Sequence, residues 1–319
     1  MKFYIGTWQV APSDGFWLGQ DISESESVIS TAVKGGISGF DTAQSYGKGQ
    51  AEQTLAKVLR RFCTTSTTST ASTVTTASKT LQSVKIDTKI MPSTKNVNEV
   101  LKVSMQRLKP FSIDCLYLHW PRTGFDNTGY LAEMAKLKEA GIIRKVGICN
   151  APLGMLEDLV QSNLKLDRIQ IPISLLWTRD LDETLKLCKE NNIEVSAYSP
   201  TGMGLLSGKY HRPEDLHDAR ARSFCFRDKC IKPFQNLLAL LSETAKKHNS
   251  SNTKIALSWV ESKKPDIIVI GARNRIQLEE DLSDMLELSD SELSDLSLAA
   301  QELDKASQTV CSNIFSYSW

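Results

Sequence analysis

Four side chains of different chemistry stand where short apolar runs end. Gly39-Phe-Asp41-Thr-Ala-Gln-Ser-Tyr46 sets a carboxylate at the end of one run and a phenol five residues later. Thr88-Lys89 closes another run, and Leu116-Tyr-Leu-His119-Trp120-Pro121 closes the next. Brought together, these groups could protonate an oxygen while the carbon beside it receives hydride. A phenol has an unperturbed pKa of about 10, so it keeps its proton at neutral pH and can donate it. A neighbouring ammonium lowers that pKa by stabilising the phenolate, and a carboxylate paired with the ammonium holds it charged and in place. An imidazole at the same oxygen could orient or polarise a carbonyl. Each residue also has an ordinary reading: Asp41 as a cap, Tyr46 as a rim aromatic, His119 as a satisfied core histidine. The four at successive strand ends favour the chemical one.

Positioning them requires elements that converge. Strands are expected near Phe3–Thr7 (as a first barrel strand or a cap hairpin) and at Ile37–Asp41, Val84–Lys89, Ile113–His119, Ile143–Ile148, Arg168–Ile171, Glu194–Tyr198 and Ile267–Ile270. Amphipathic stretches alternate with them: Ser23–Lys34, Gln50–Arg61, Val97–Leu108, Gly129–Ala140, Leu153–Gln161, Asp180–Glu190, Gln235–Lys247 and Gln277–Leu286. Val97, Val100, Leu101, Met105 and Leu108 follow helical spacing. Such alternation implies a parallel sheet covered on both faces, as the run Ile267-Ile-Val-Ile270 requires. A doubly wound sheet alternates similarly. No GxGxxG opens the first helix, however, and the reactive residues lie at the carboxyl ends of several strands. Both features favour an α/β fold of the (β/α)8 TIM-barrel type. The 319 residues are expected to form one domain, 1–319. Thr64–Thr80, almost entirely Ser, Thr and Ala, is expected to be a poorly ordered loop.

Composition excludes other classes. Lys and Arg number 38 against 37 Asp and Glu, so no basic field suggests nucleic acid or an anionic membrane as partner. No apolar run approaches the roughly 20 residues of a membrane span. The chain enters its first strand without a signal-type apolar region, so the cytoplasm is the expected location, or a plastid if a leader is missing. Seven cysteines form no CxxC and have no His at zinc-like spacing; Cys115, Cys149 and Cys188 read as reduced core residues. Cys225 and Cys230 read as two loop thiols rather than a redox pair. No ligand cluster accompanies His119, so no metal is expected. The sequence specifies no oligomeric state; a monomer is the working expectation.

Several motifs in order resemble the aldo-keto reductase superfamily across nearly the whole chain. They are Phe40-Asp-Thr-Ala-Gln-Ser-Tyr46, Thr88-Lys89, Leu108 through Tyr117-Leu-His-Trp-Pro121, Leu137 through Gly141-Ile-Ile-Arg-Lys-Val-Gly147-Ile-Cys-Asn150, Gln170, Ala197-Tyr-Ser-Pro200 and Ile270-Gly-Ala-Arg-Asn274. The resemblance implies a (β/α)8 barrel, NADPH/NADP+ as cofactor, and a catalytic tetrad of Asp41, Tyr46, Lys89 and His119 with Tyr46 as proton donor. It also implies cofactor contacts. Gly6, Thr7, Trp8 and Asp41 lie at the first strand ends. Asn150 and Gln170 would hold a carboxamide, to which a side-chain amide can both donate and accept. Tyr198 would stack on the nicotinamide. Ser199, Pro200, Gly202, Gly204, Leu205 and Lys209 would surround the pyrophosphate, the glycines permitting close approach. Gly271, Arg273, Gln277, Glu280 and Asp281 would receive the adenosine end, Arg273 as a partner for a 2′-phosphate and hence for NADPH over NADH.

Three positions depart from the common pattern: Cys149 where Ser is frequent, Asp281 where Asn is frequent, and Pro172 just beyond Gln170. A small carbonyl compound is the implied substrate, an aldehyde or ketone reduced to an alcohol. Trp8, Tyr46, His119 and Trp120 are the expected pocket residues. Phe16, Trp17 and the C-terminal Phe315–Trp319 are weaker candidates, Trp17 and Trp319 being equally readable as packing aromatics. A second reading is a channel-associated, cofactor-sensing subunit with little turnover; the intact tetrad favours the enzyme.

Overall fold

A computed structural model of the chain describes residues 2–11, 16–64, 83–162 and 164–313. Among these, eight strands close into a barrel: β1 (Lys2–Gly6), β2 (Gly39–Asp41), β3 (Lys85–Ile90), β4 (Ile113–Leu118), β5 (Ile143–Cys149), β6 (Arg168–Pro172), β7 (Glu194–Tyr198) and β8 (Ile267–Ile270). Every neighbouring pair is parallel, and β1 pairs with both β2 and β8, so the first strand belongs to the barrel and is not a cap hairpin. Helices α1 (Ile22–Lys34), α2 (Gln50–Thr64), α3 (Val97–Leu108), α4 (Asn127–Glu139), α5 (Leu153–Gln161), α6 (Leu181–Glu190), α7 (Asp228–Lys247), α8 (Asn252–Ser262), α9 (Arg275–Leu282) and α10 (Asp290–Ser307) account for the intervening chain. The Thr64–Thr80 loop lies, beyond its first residue, outside the described residues, as does Phe315–Trp319.

Local sequence explains where the helices start. Asp21, Asn96, Asp126, Ser251, Asn274 and Ser289 each accept a first-turn backbone N–H through the side chain. Ser289 and Glu292 complete a capping box that opens α10. Neither α8 nor α10 was expected. In α8 every residue from Lys254 to Val260 is buried, so no amphipathic stripe marks it. In α10 short polar residues dilute the apolar spacing.

Period-two alternation sorts the strand residues between two cores. Ile268 and Ile270 join the large cluster shared with the helices, whereas Ile267 and Val269 pack with Tyr4. Leu116 and Leu118 likewise face the helices, while Cys115 and Tyr117 pack with Cys149. The second set fills the barrel. Its lower layer is ionic: Arg168 donates to Asp87 at 2.7 Å and to Glu194 at 2.6 Å, and the Tyr117 hydroxyl donates to Asp87 at 3.3 Å. Of the two expected loop thiols, Cys225 lies in a 3₁₀ turn of the loop (Phe224–Phe226) and Cys230 lies in the first turn of helix α7, both free and fully buried.

The carboxyl ends of the strands are tied to one another beyond the regular ladder. Thr7 N–H donates to Asp41 O, Thr42 to Asp87, Gln44 to Lys89, His119 to Ile90 and Asn150 to Gln170. These bonds run the chemical residues' own backbones into the sheet. Pro172 ends β6 level with Tyr198 without breaking register, since a strand-terminal residue tolerates the missing N–H. Among the described residues no helix is long and apolar enough to cross a membrane, and no group of three or more His, Cys, Asp or Glu is placed to hold a metal ion.

Candidate active site

Inward-facing residues at the upper strand ends meet in one layer. Asp41 ends β2, Lys89 lies near the end of β3, and the Lys89 ammonium donates to Asp41 Oδ1 at 2.6 Å and to Thr42 O at 2.8 Å. The same Nζ stands 3.3 Å from the Tyr46 hydroxyl. Asp41 Oδ2 accepts from Gln170 Nε2 at 2.8 Å, so both carboxylate oxygens are engaged. Lys89 is 1% exposed. Burial opposes its charge, but Asp41 and the neighbouring phenol outweigh burial and raise its pKa above the ordinary lysine value.

Burial also dominates at Tyr46 and pushes its phenol up to about 12, with the Lys89 ammonium pulling down and Asp41 pushing up. The lysine therefore acts in the expected direction, but the net shift is upward, because desolvation of a phenolate costs more than the ammonium returns. His119, buried at the end of β4, is held well below its usual pKa, first by burial and then by Lys89. It is a neutral imidazole at neutral pH, with Nδ1 3.4 Å from Ser45 Oγ. Its ring meets the Tyr46 ring edge-on at 5.7 Å. The site thus offers a protonated phenol, a fixed ammonium behind it and a neutral imidazole beside it.

A cavity of about 560 Å³ opens from this layer. Tyr46, His119 and Asp41 line one part of it; Lys89 stands behind Tyr46 and does not line it. Of the residues expected at a cofactor, Gly6, Trp8, Asn150, Gln170, Tyr198, Ser199, Pro200, Gly204, Lys209, Gly271, Arg273, Gln277, Glu280 and Asp281 all line the cavity. Thr7, Gly202 and Leu205 do not. Leu205 is fully buried in the large core, and Gly202, with φ +58°, packs where a Cβ would meet the Leu176 side chain. Gly204 faces the cavity with φ +85°, where its backbone can approach a ligand.

Side-chain amides and aromatics are locked in place. The Tyr198 hydroxyl donates to Asn150 Oδ1 at 2.6 Å, and Asn150 Nδ2 donates to His119 O and Cys149 Sγ, both at 3.1 Å. Cys149, in place of a serine, therefore still touches Asn150. Trp8 packs edge-on to Trp17 at 5.3 Å and tilted against Phe16 at 4.8 Å and Tyr46 at 6.2 Å. Trp120 also lines the cavity, and so does Trp17, one of the weaker candidates; Phe16 does not line it. Arg273 is anchored: its guanidinium donates to Gln20 Oε1 at 3.1 Å and Leu18 O at 2.9 Å. Burial, reinforced by Glu280 and opposed by Lys254, pushes the Asp281 carboxyl up to about 7.

Sequence reasoning missed Arg220, Tyr210, Met91 and Gln9, which also line the cavity. Arg220 is buried, paired with Asp218 at 2.7 Å, and lies over the rings of Tyr210 at 5.2 Å and Trp17 at 5.4 Å. The only local signal was the Asp218-x-Arg220 spacing inside a loop.

The model of the Aldo/keto reductase family matches residues 2–300. The aldo-keto reductase YhdN of Bacillus subtilis is 27% identical over 281 residues, 86% of this chain and 82% of that protein. The NADH-specific methylglyoxal reductase of Escherichia coli is 27% identical over 314 residues, 94% and 95% of the two chains. The solved glycerol dehydrogenase of Gluconobacter oxydans superposes with a TM-score of 0.74 at 23% identity, covering 95% of this chain and 92% of its own, a likeness of fold. With the family model matched from the first strand into the last helix, the chain belongs to the aldo/keto reductase family.

Proposed function

We propose that this chain is an NADPH-dependent oxidoreductase that reduces aldehyde or ketone carbonyls to alcohols, with Tyr46 as proton donor and the whole chain as one barrel domain. One observation carries the reading: a single cavity runs from a protonated phenol backed by a buried ammonium to a distant end lined by Arg273, Gln277 and Asp281. The residues present fit a dinucleotide. Asn150 and Gln170 offer amides, Gly204 offers open backbone, and Lys209 and Arg273 offer cations for phosphates. Bound there, a reduced nicotinamide supplies the hydride. The protein's own groups do the rest. His119, neutral, orients the carbonyl oxygen, and Tyr46 gives it a proton. Lys89 accommodates the negative charge left on the phenolate, and Asp41 holds Lys89. Trp8, Trp17 and Trp120 provide an apolar lining that suits small carbonyl compounds.

The test is reduced-nicotinamide consumption with a panel of aldehydes, ketones and quinones, NADPH beside NADH. Turnover that prefers NADPH supports the reading; tight NADPH binding with no turnover on any member moves the weight to cofactor sensing. Arg273→Ala is expected to weaken NADPH more than NADH, and equal weakening would detach Arg273 from the 2′-phosphate.

The adenosine end also sets a pH dependence. Asp281 is neutral below about pH 7 and charged above it. A bound anionic cofactor disfavours the charged form, so binding takes up a proton and affinity falls as pH rises through 7. The Kd for NADPH, read by protein fluorescence, is expected to rise roughly threefold to tenfold from pH 6 to pH 8. Asp281→Asn should flatten that rise and tighten binding at pH 8; an unchanged profile would show that Asp281 does not sense the cofactor.

A further inference from the structure

Tyr46 opens a short, distorted 3₁₀ turn (Tyr46–Gly49) outside the strands and α-helices. Between β2 and α2 the chain passes through Gly47 at φ 53°, Lys48 at φ 56° and Gly49 at φ +95°, three successive left-handed residues. Such a run needs outside support to keep one conformation. Arg107, in the last turn of α3, supplies it. Its Nη1 donates to Gln44 O at 3.3 Å and its Nη2 to Lys48 O at 3.3 Å, so one guanidinium grips the backbone on both sides of Tyr46. A Cβ at Gly49 would fall on that guanidinium, which ties the glycine to the arginine's seat.

The grip continues to the lysine behind the phenol. Arg107 Nη1 also donates to Glu52 Oε2 at 3.1 Å, and Glu52 is fully buried in the first turn of α2. Glu52 Oε1 accepts from Thr88 Oγ1 at 2.7 Å, on the residue before Lys89. Gln44 completes the attachment by donating to Val100 O at 2.8 Å and Ser104 Oγ at 3.1 Å on α3. A guanidinium and a carboxylate that touch neither the cavity nor Lys89 thus bridge the two backbones carrying Tyr46 and Lys89. A planar fork reaches the two carbonyls and the carboxylate from two separate nitrogens in a fixed geometry, whereas an ammonium carries all its donors on one atom.

We infer that Arg107 and Glu52 are positioning residues for proton transfer, setting the Tyr46 hydroxyl against Lys89 and toward the substrate oxygen. This rests on Tyr46 being the donor. Removing one partner alone would strand a buried charge, so the informative variant removes both: Glu52→Gln with Arg107→Met. It is assayed beside wild type, Tyr46→Phe and the triple variant for kcat, substrate KM, NADPH Kd by fluorescence and thermal midpoint.

The expected result for the pair is a loss of about 10²-fold in kcat. Substrate KM and NADPH Kd should stay within about twofold. In the Tyr46→Phe background the same pair should cost almost nothing further, because there is no phenol left to place. Wild-type kcat in the paired variant, with Tyr46→Phe inactive, would overturn the positioning role and leave the donor assignment standing. The full loss repeated in the Tyr46→Phe background, or Kd weakened as much as kcat, would also overturn it, since either means general loosening. Turnover retained by Tyr46→Phe itself would instead remove the donor reading on which this one rests. Should the pair not fold, Arg107→Lys keeps the charge against Glu52 but not the fork. It is expected to lower kcat at unchanged NADPH Kd; undiminished kcat there would equally overturn the role.

Discussion

Tyr46→Phe is expected to lower turnover by about 10²–10⁴-fold, the usual contribution of a positioned general acid. The change deletes one oxygen whose protein contact is a 3.3 Å approach from Lys89, so the ring, its packing against Trp8 and the fold stay as they are. NADPH Kd should therefore hold within about twofold, and the thermal midpoint should not fall. The combination is diagnostic: binding intact, chemistry lost. Since burial keeps the phenol pKa near 12, the wild-type chain should hold its donor protonated throughout the neutral range. His119, held neutral by burial and by Lys89, should contribute no ionisation there either. A Tyr46→Phe chain with wild-type turnover would mean that solvent, or another group, protonates the product.

Lys89→Met should damage both chemistry and fold. The ammonium is fully buried, bonded to Asp41 at 2.6 Å, and deleting it leaves a buried carboxylate without its counter-charge. Breaking a buried pair from one side costs about 3–5 kcal/mol. For a chain of this size that is a fall in thermal midpoint of roughly 4–8 °C. Turnover should fall at least 10²-fold as well, because the phenolate loses the charge that accommodates it. The two losses can be separated. Adding Asp41→Asn to Lys89→Met removes the stranded carboxylate and should return much of the stability, since replacing both members of a buried pair is often close to neutral. Turnover should not return with it. If calorimetry and kinetics recover together, Lys89 serves the fold and not the reaction.

The barrel was legible because several of its strands are apolar on both faces and end on polar residues. Ile113–Leu118 and Ile267–Ile270 could hardly be anything but covered strands, and the structure puts them in a closed parallel sheet. Asp41, Tyr46, Lys89 and His119 could be picked out because each follows such a run, and closure brings the ends together. Helix α8 was hidden because it is buried on every side and carries no stripe. Leu205 and Thr7 were placed at the cavity by motif alone; side-chain direction turns Leu205 into the core, and motifs do not encode direction. Arg220 and Tyr210 escaped because they reach the cavity through a loop of 3₁₀ turns, whose path depends on contacts distant in sequence. The net pKa of Tyr46 escaped for a related reason: a neighbouring lysine can be inferred from a motif, but the depth of burial that outweighs it cannot.

The most direct test of the central claim is a single turnover with NADPH carrying deuterium on the transferable nicotinamide position, an aldehyde substrate and product analysis by mass spectrometry. The expected result is one deuterium at the carbinol carbon of the alcohol, formed one for one with oxidised cofactor, at a rate that collapses in Tyr46→Phe. Alcohol without the label, or cofactor bound and left reduced with every carbonyl offered, would contradict carbonyl reduction by hydride transfer in this cavity.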